Sequence, residues 1–407
     1  MKLFRLFCLV ILVITGSAML LSSCQQTRDV RFSPSASLVP TTIAPFSAYQ
    51  QAVATWLSEH RQATGSDKRW EVQINAPFEC GVGNKKGVLF IHGLGDSPYF
   101  FQDVAQRLCD QAVWVRAILL PGHGSKPGDM LNASYELWQQ ATNFHVEQFS
   151  REVDELYLAG FSTGTNLAVV AAGQRDDIAG LLLFSPAFES RFAVTWLAPY
   201  LTGVFSWPNV EPEDNPTRYN SMAMQGFAAY QKSVDAVQVS LHQQPVSVPA
   251  LLVVPEGDSV VDVNTVAELY TAHFRHPSSQ LLWLGEEEDA PADSQVLSMK
   301  IPAQRIGAAS HMSVLFSAAN PLYGTGGTQR ICDNGQGSSK TKRCEAGEEV
   351  WYGPWGLTEE GKVFARLTYN PYFDTMMGAI ERLLDIDPQE LVKEYPGTGV
   401  NASQLPE

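Results

Sequence analysis

The stretch ELYLAGFSTGTNLAVVAAG, residues 155–173, reads as a short apolar strand that turns at Gly160-Phe161-Ser162-Thr163-Gly164 and runs straight into an apolar helix. Glu155 to Ala159 have the hydrophobicity of a buried strand, and Asn166 to Ala172 are strong helix material stopped by Gly173. A serine on so sharp a turn needs small residues two places before and two after it, because a side chain there would collide with the neighbouring backbone. Gly160 and Gly164 meet that need, and Ser162 becomes the candidate nucleophile.

Outward from this turn the chain keeps one rhythm. Gly87 to Ile91 is a short apolar strand, Ser97 and Pro98 open a helix with Phe101, Val104 and Leu108 on one face, and Val113 to Leu120 gives another strand closed by Pro121-Gly122-His123-Gly124. Residues 135–150 read as a helix, and apolar strands recur at 180–184, 250–254 and 281–284. Alternation of this kind predicts an α/β fold with a mostly parallel twisted sheet and helices on both faces. Between about 187 and 244 the rhythm breaks into aromatic and proline residues and an amphipathic run, which reads as a cap inserted over the top of the sheet. Glu286 to Asp293, EEEDAPAD, reads as a solvated acidic loop. From about 312 the chain carries a C-terminal extension, with the aromatic patch Trp351-Tyr352-Gly353-Pro354-Trp355 packed on the core and a last helix through Phe373, Met376, Ile380 and Leu383.

A nucleophilic serine needs a base to take its proton and an acid to orient that base. Asp258 lies in LLVVPEGDSVVD, just past an apolar strand, and His311 follows in IGAASHMSVLF, which gives the order Ser, Asp, His. Asp262 is the rival acid. Of eight histidines, His60, His242, His273 and His276 have polar or helical surroundings, His145 falls on an expected helix surface, and His92 and His123 sit in glycine-bounded turns that suit a structural role.

With these pieces in order, the chain resembles α/β-hydrolases of the bacterial carboxylesterase, monoacylglycerol lipase and lysophospholipase type, grouped with serine aminopeptidases. The resemblance rests on FIHGLGDSP at residues 90–98, LLPGHGSKPGDM with Trp138 downstream, GFSTG, GDSVVD and SHMS, and spans residues 86 to about 315. It implies the α/β-hydrolase fold with Ser162 as nucleophile, His311 as general base and then acid, and Asp258 as its orienter. The backbone N–H groups of Leu94 and Thr163 are then the oxyanion donors. It favours Asp258 over Asp262, since the acid in such relatives precedes a residue and a valine pair. The acidic stretch before His311, with NPLYGTGG and the cysteine-bounded loop after it, departs from the family pattern and bears on the pocket mouth.

The N-terminus speaks to address. Lys2 and Arg5 precede an apolar stretch to Leu21, followed by Leu21-Ser22-Ser23-Cys24, which resembles a lipoprotein signal peptide. The resemblance implies a signal at 1–23, an acylated Cys24 opening the mature chain and, with Gln25 next, the periplasmic face of the outer membrane of a Gram-negative bacterium. Residues 24–45 then read as a lipidated flexible tether, rich in Ser, Thr and Pro, and 46–407 as the hydrolase domain. Loss of 1–23 removes Lys2 and Arg5 and no acid, moving the net charge from −15 to −17. So acidic a chain is a poor ligand for nucleic acid or anionic lipid through charge.

Cys80, Cys109, Cys332 and Cys344 remain in an oxidising compartment. They allow three pairings, and closeness in sequence favours Cys80 with Cys109 and Cys332 with Cys344. Their spacing does not fit a zinc knuckle, and neither metal nor cofactor is expected. The expected function is hydrolysis of a carboxylic ester, short-chain, monoacylglycerol or lysophospholipid-like, through an acyl-enzyme. The alternatives are an aminopeptidase or amidase, with Glu211, Glu213 and Asp214 holding a substrate amine, and a non-catalytic envelope binding lipoprotein.

Overall fold

Strands buried on both faces must be apolar without interruption, and KGVLFI and ELYLAGF past their first residues, with IAGLLLF and ALLVVP, obey that demand. The computed structural model describes residues 29–386. In chain order the strands are β1 (Phe78–Cys80), β2 (Lys86–Ile91), β3 (Trp114–Ile118), β4 (Glu155–Phe161), β5 (Ile178–Phe184), β6 (Ala250–Pro255), β7 (Gln280–Leu284) and β8 (Gln295–Leu297). They form one sheet in the order β1-β3-β2-β4-β5-β6-β7-β8, with only β1 antiparallel to its neighbour.

Side chains alternate across this sheet. Leu89, Ile91, Leu158, Leu181, Leu183 and Leu252 face one core, closed by the helices Phe46–His60, Tyr135–Phe149, Thr163–Ala172 and Met224–Gln243. Val88, Phe90, Ala159, Phe161, Phe184 and Val253 face the other, closed by Gln102–Cys109 and Phe373–Leu383. Because the strands between β3 and β8 are parallel, the residues that follow β2, β4, β5 and β6 gather at one edge.

Three boundaries differ from those expected. The helix Met224–Gln243, expected in the cap, lies in the helical layer: Val234, Val237 and Leu241 are buried in the core and Asn166 Nδ2 donates to Ser233 Oγ at 3.0 Å. The segment that crosses the sheet edge is therefore 185–223. Amphipathicity shows that a helix has a buried side but not which surface buries it. In the C-terminal region the helix Phe373–Leu383 is likewise a layer helix, burying Met376, Met377 and Ile380 against the sheet. The added part is the small parallel pair β9 (Trp351–Gly353) and β10 (Phe364–Arg366) with the helix Ser338–Glu345.

The third difference is the tether. From Asp29 onward it lies on the body, with Phe32 and Val39 buried and Ser35 N–H donating to Asp129 Oδ1 at 2.6 Å. Its polar composition hid two apolar anchors, each stabilising by roughly 1.5–3 kcal/mol when buried. The signal at 1–23 and Cys24 lie outside the described residues. Both expected disulfides form: Cys80–Cys109 joins β1 to the helix Gln102–Cys109, and Cys332–Cys344 closes the added loop. Among the described residues no helix is long and apolar enough to cross a membrane.

Candidate active site

Ser162 sits between β4 and the helix Thr163–Ala172 at φ 51° and ψ −121°, a conformation that L-residues rarely adopt. Its N–H donates to Phe184 O at 2.9 Å, pinning the turn to the end of β5. The two glycines are explained by contact. A Cβ on Gly160 would lie 2.5 Å from the Gly164 carbonyl carbon, and one on Gly164 would fall on the Ile91 carbonyl oxygen. Thr163 opens the helix, so its N–H is one of the four without an intrahelical partner.

The loop after β2 approaches this turn. A Cβ on Gly93 would lie 3.0 Å from Ser162 Cβ and 2.6 Å from Asp96 Oδ2, so only glycine lets the loop come so close to the serine. His92 is buried beneath the loop. Its Nε2 accepts from Leu120 N–H at 3.0 Å, which makes Nδ1 the protonated nitrogen, donating to Gly93 O at 2.9 Å. Burial lowers its pKa to about 4, so His92 is a neutral brace. The turn Pro121-Gly122-His123-Gly124 is held by Trp138 Nε1–H donating to Pro121 O at 2.9 Å. Tyr219, from the cap, ties the two loops together. Its N–H donates to Gly95 O at 2.8 Å and its hydroxyl accepts from Ser125 N–H at 2.9 Å.

Asp258 is wholly buried past the end of β6. Its Oδ1 accepts from the N–H groups of Val260 and Val261 at 2.7 and 3.0 Å, and its Oδ2 lies 2.6 Å from His311 Nδ1. Two fixed donors aim this carboxylate, leaving one oxygen for the imidazole. Asp262 has a different occupation: it caps the helix Val263–His273, accepting from Asn264 N–H and Thr265 N–H at 3.1 and 3.2 Å. His311 is nearly buried, and its ring rests on Phe161, the neighbour of Ser162, with centroids 5.1 Å apart. Ser185 Oγ donates to the His311 carbonyl at 2.8 Å, one residue from the Phe184 carbonyl that holds Ser162. The fold thus brings Asp258 and His311 to the turn of Ser162 and Thr163, with the loop at Gly93 against it.

Two charged residues of this site were not singled out from sequence. Asp96 is buried beside Gly93, and burial pushes its carboxyl up to about 6 against the opposing pull of Arg218 and His311. Arg218 reaches in from the cap, with Nη1 3.3 Å from Sδ of Met312, the residue after His311. The signal was present in His92-Gly93-Leu94-Gly95-Asp96, since an acid in a loop that must approach a serine lies near it too. His145, expected on a surface, is buried against Phe46 and Tyr49, with centroids 5.7 and 4.4 Å away. The cover is the N-terminal helix Phe46–His60, which was not foreseen.

Among the described residues no group of three His, Cys, Asp or Glu side chains is disposed to hold a metal ion. Comparison with known proteins follows the same lines. Residues 83–238 match the family model described as serine aminopeptidase, S33. The chain is 23% identical over 103 residues to a thermostable monoacylglycerol lipase of Bacillus sp. (strain H-257); the match covers 25% of this chain and 41% of that relative, so the chain spans about two fifths of its length. Among solved structures it is similar to a metagenome-derived lipolytic enzyme, with TM-score 0.47, 23% identity, and 51% of this chain and 86% of the other covered. For the monoacylglycerol lipase of Paleococcus ferrophilus the TM-score is 0.44, at 18% identity over 51% of this chain and 87% of that one. The parallel sheet with its helices on both faces, the serine at the strand-to-helix turn and the match over residues 83–238 make this an α/β-hydrolase fold.

Proposed function

We propose that the protein is a serine hydrolase that cleaves carboxylic esters through an acyl-enzyme. The observation that carries this reading is the His311 Nδ1 to Asp258 Oδ2 contact at 2.6 Å, beside a serine held at φ 51°. With Nδ1 committed to Asp258, Nε2 is the nitrogen available to Ser162. It takes the Oγ proton as Oγ bonds to the ester carbonyl carbon, and the N–H groups of Leu94 and Thr163 receive the charge that develops on the carbonyl oxygen. Collapse breaks the bond to the leaving alcohol, whose oxygen takes the proton from Nε2. Water, deprotonated by the same nitrogen, then releases the acid and restores Ser162. Asp258 holds the imidazole in the required tautomer and stabilises its cation.

The amide reading loses support at the cap. Glu213 accepts from Asn220 N–H and Ser221 N–H at 3.0 and 2.7 Å, Asp214 accepts from Asn220 Nδ2 at 2.7 Å, and Glu211 accepts from Asn209 Nδ2 at 2.8 Å. These acids are engaged within the cap's own turns, which leaves little to hold a substrate amine. The matched relative is a monoacylglycerol lipase, and a monoacylglycerol is the substrate to try first. Turnover of chromogenic esters of increasing acyl length by wild-type and Ser162→Ala protein tests the proposal. Wild-type turnover with a loss of about 10⁴-fold or more in the variant is expected; equal rates would overturn it.

We further propose that Cys24 is acylated and holds the enzyme at the cell envelope. The run Leu21-Ser22-Ser23-Cys24 supports this, as do two disulfides of a kind that persists outside the reducing cytosol.

A further inference from the structure

The run from Phe192 to Pro208 in the cap contains no charged residue. Its inner side is satisfied: Ala198 is buried with Met224 and Ala228, and Leu201 packs on them. Its outer side is not. Phe192, Val194, Trp196, Tyr200, Val204 and Phe205 are between 38% and 76% exposed, a density of large apolar side chains that water disfavours. Trp196 and Tyr200, centroids 6.5 Å apart, are residue types that prefer the boundary of a bilayer.

The N-terminal segment indicates what covers this face. The Phe32 ring meets the Trp207 ring edge-on at 5.0 Å, so the first described residues of the chain lie beside the apolar run. Asp29 Oδ1 accepts from Arg31 N–H at 2.9 Å and caps the short turn that carries Phe32. Cys24 lies only five residues before Asp29, and a chain of that length spans at most about 17 Å. Acyl chains on Cys24 would therefore bring the cap against the bilayer they enter. The net charge of −17 left once residues 1–23 are removed gives no electrostatic attraction to anionic lipid, so the contact has to be apolar, as this run is.

We infer that the outer face of the cap, from Phe192 to Phe205, docks on the lipid bilayer that holds the acylated N-terminus, turning the sheet edge that carries Ser162 toward the lipid. The inference rests on the acylation of Cys24 proposed above. It makes the substrate an ester that reaches the enzyme from the membrane leaflet.

The test uses the lipidated protein in vesicles of phosphatidylethanolamine and phosphatidylglycerol. A single environment-sensitive label is placed by Tyr200→Cys and, in a second preparation, by Lys85→Cys. Lys85 is 84% exposed and precedes β2, at the opposite edge of the sheet. Brominated lipid is expected to quench about half or more of the emission at 200 and almost none at 85. An unquenched label at 200 on vesicle-bound protein would overturn the inference, as would a cross-link between labelled chains without lipid quenching. Mass spectrometry that found Cys24 unacylated would also overturn it by removing the leash. Turnover of a soluble ester by the unlabelled protein reports the hydrolase reading separately, because loss of turnover with quenching intact leaves the docking in place.

Discussion

At the scale of residues the two aspartates near β6 have different work. Asp258→Asn is expected to leave the fold intact and lower kcat by about 10⁴-fold, because the imidazole loses its tautomer and its partner. Asp262→Ala is expected to keep turnover and cost about 1 kcal/mol of stability, the worth of a helix cap. Ester kinetics and urea unfolding on both variants check the pair, and exchanged phenotypes would contradict it. Asp96 makes a prediction in pH. Its carboxyl ionises near 6 in the folded protein and near the ordinary 3.8 when unfolded. Between those values the folded state binds more protons, so stability falls as pH rises, by about 3 kcal/mol at most. Asp96→Asn should therefore stabilise the protein against urea at pH 8 and give no gain at pH 3. A gain of equal size at both would show that Asp96 is not the titrating group. Ser162, Asp258 and His311 could be picked out in the sequence because the proposed catalysis demands their types and order, whereas the burial of Asp96 depends on the cap residues Tyr219 and Arg218 closing over its loop.

Between elements, a buried ion pair joins three parts of the fold. Arg61, at the end of the helix Phe46–His60, is buried and meets Glu71 of the helix Lys68–Asn75 at 2.7 Å. It also donates to Gly124 O at 2.6 Å and to Pro216 O of the cap at 2.5 Å. One guanidinium thus joins the N-terminal helices, the turn after β3 and the cap. Glu71→Ala should cost about 3–5 kcal/mol in urea unfolding, since it strands a buried cation; a cost below about 1 kcal/mol would show that Arg61 finds other company. The strands from 86 to 284 were legible because a strand buried on both faces admits little but apolar residues. The N-terminal helices and the packing of Phe32 and Val39 were not, since their amphipathic pattern is diluted by polar residues that find partners only in the assembled fold. For the same reason Met224–Gln243 was placed in the cap rather than in the layer.

For the whole molecule, a parallel sheet gathers its loops at one edge, a cap crosses that edge, and the N-terminal segment around Phe32 lies beside the cap. The disulfide Cys80–Cys109 closes the opposite side, where Cys80 pairs with Val115 near the start of β3. Cys80→Ser with Cys109→Ser is expected to cost about 3 kcal/mol of stability while leaving ester turnover in the folded protein unchanged, because the bridge lies away from the site. Calorimetry with a turnover assay checks both halves, and lost turnover in folded protein would contradict the separation. The central claim is that Ser162 is the atom-bearing residue of this arrangement, activated by His311. Fluorophosphonate labelling followed by peptide mass spectrometry tests it most directly. The account predicts a single adduct on Ser162, lost in Ser162→Ala and strongly slowed in His311→Ala. An adduct on another residue, or none on folded wild-type protein, would contradict it.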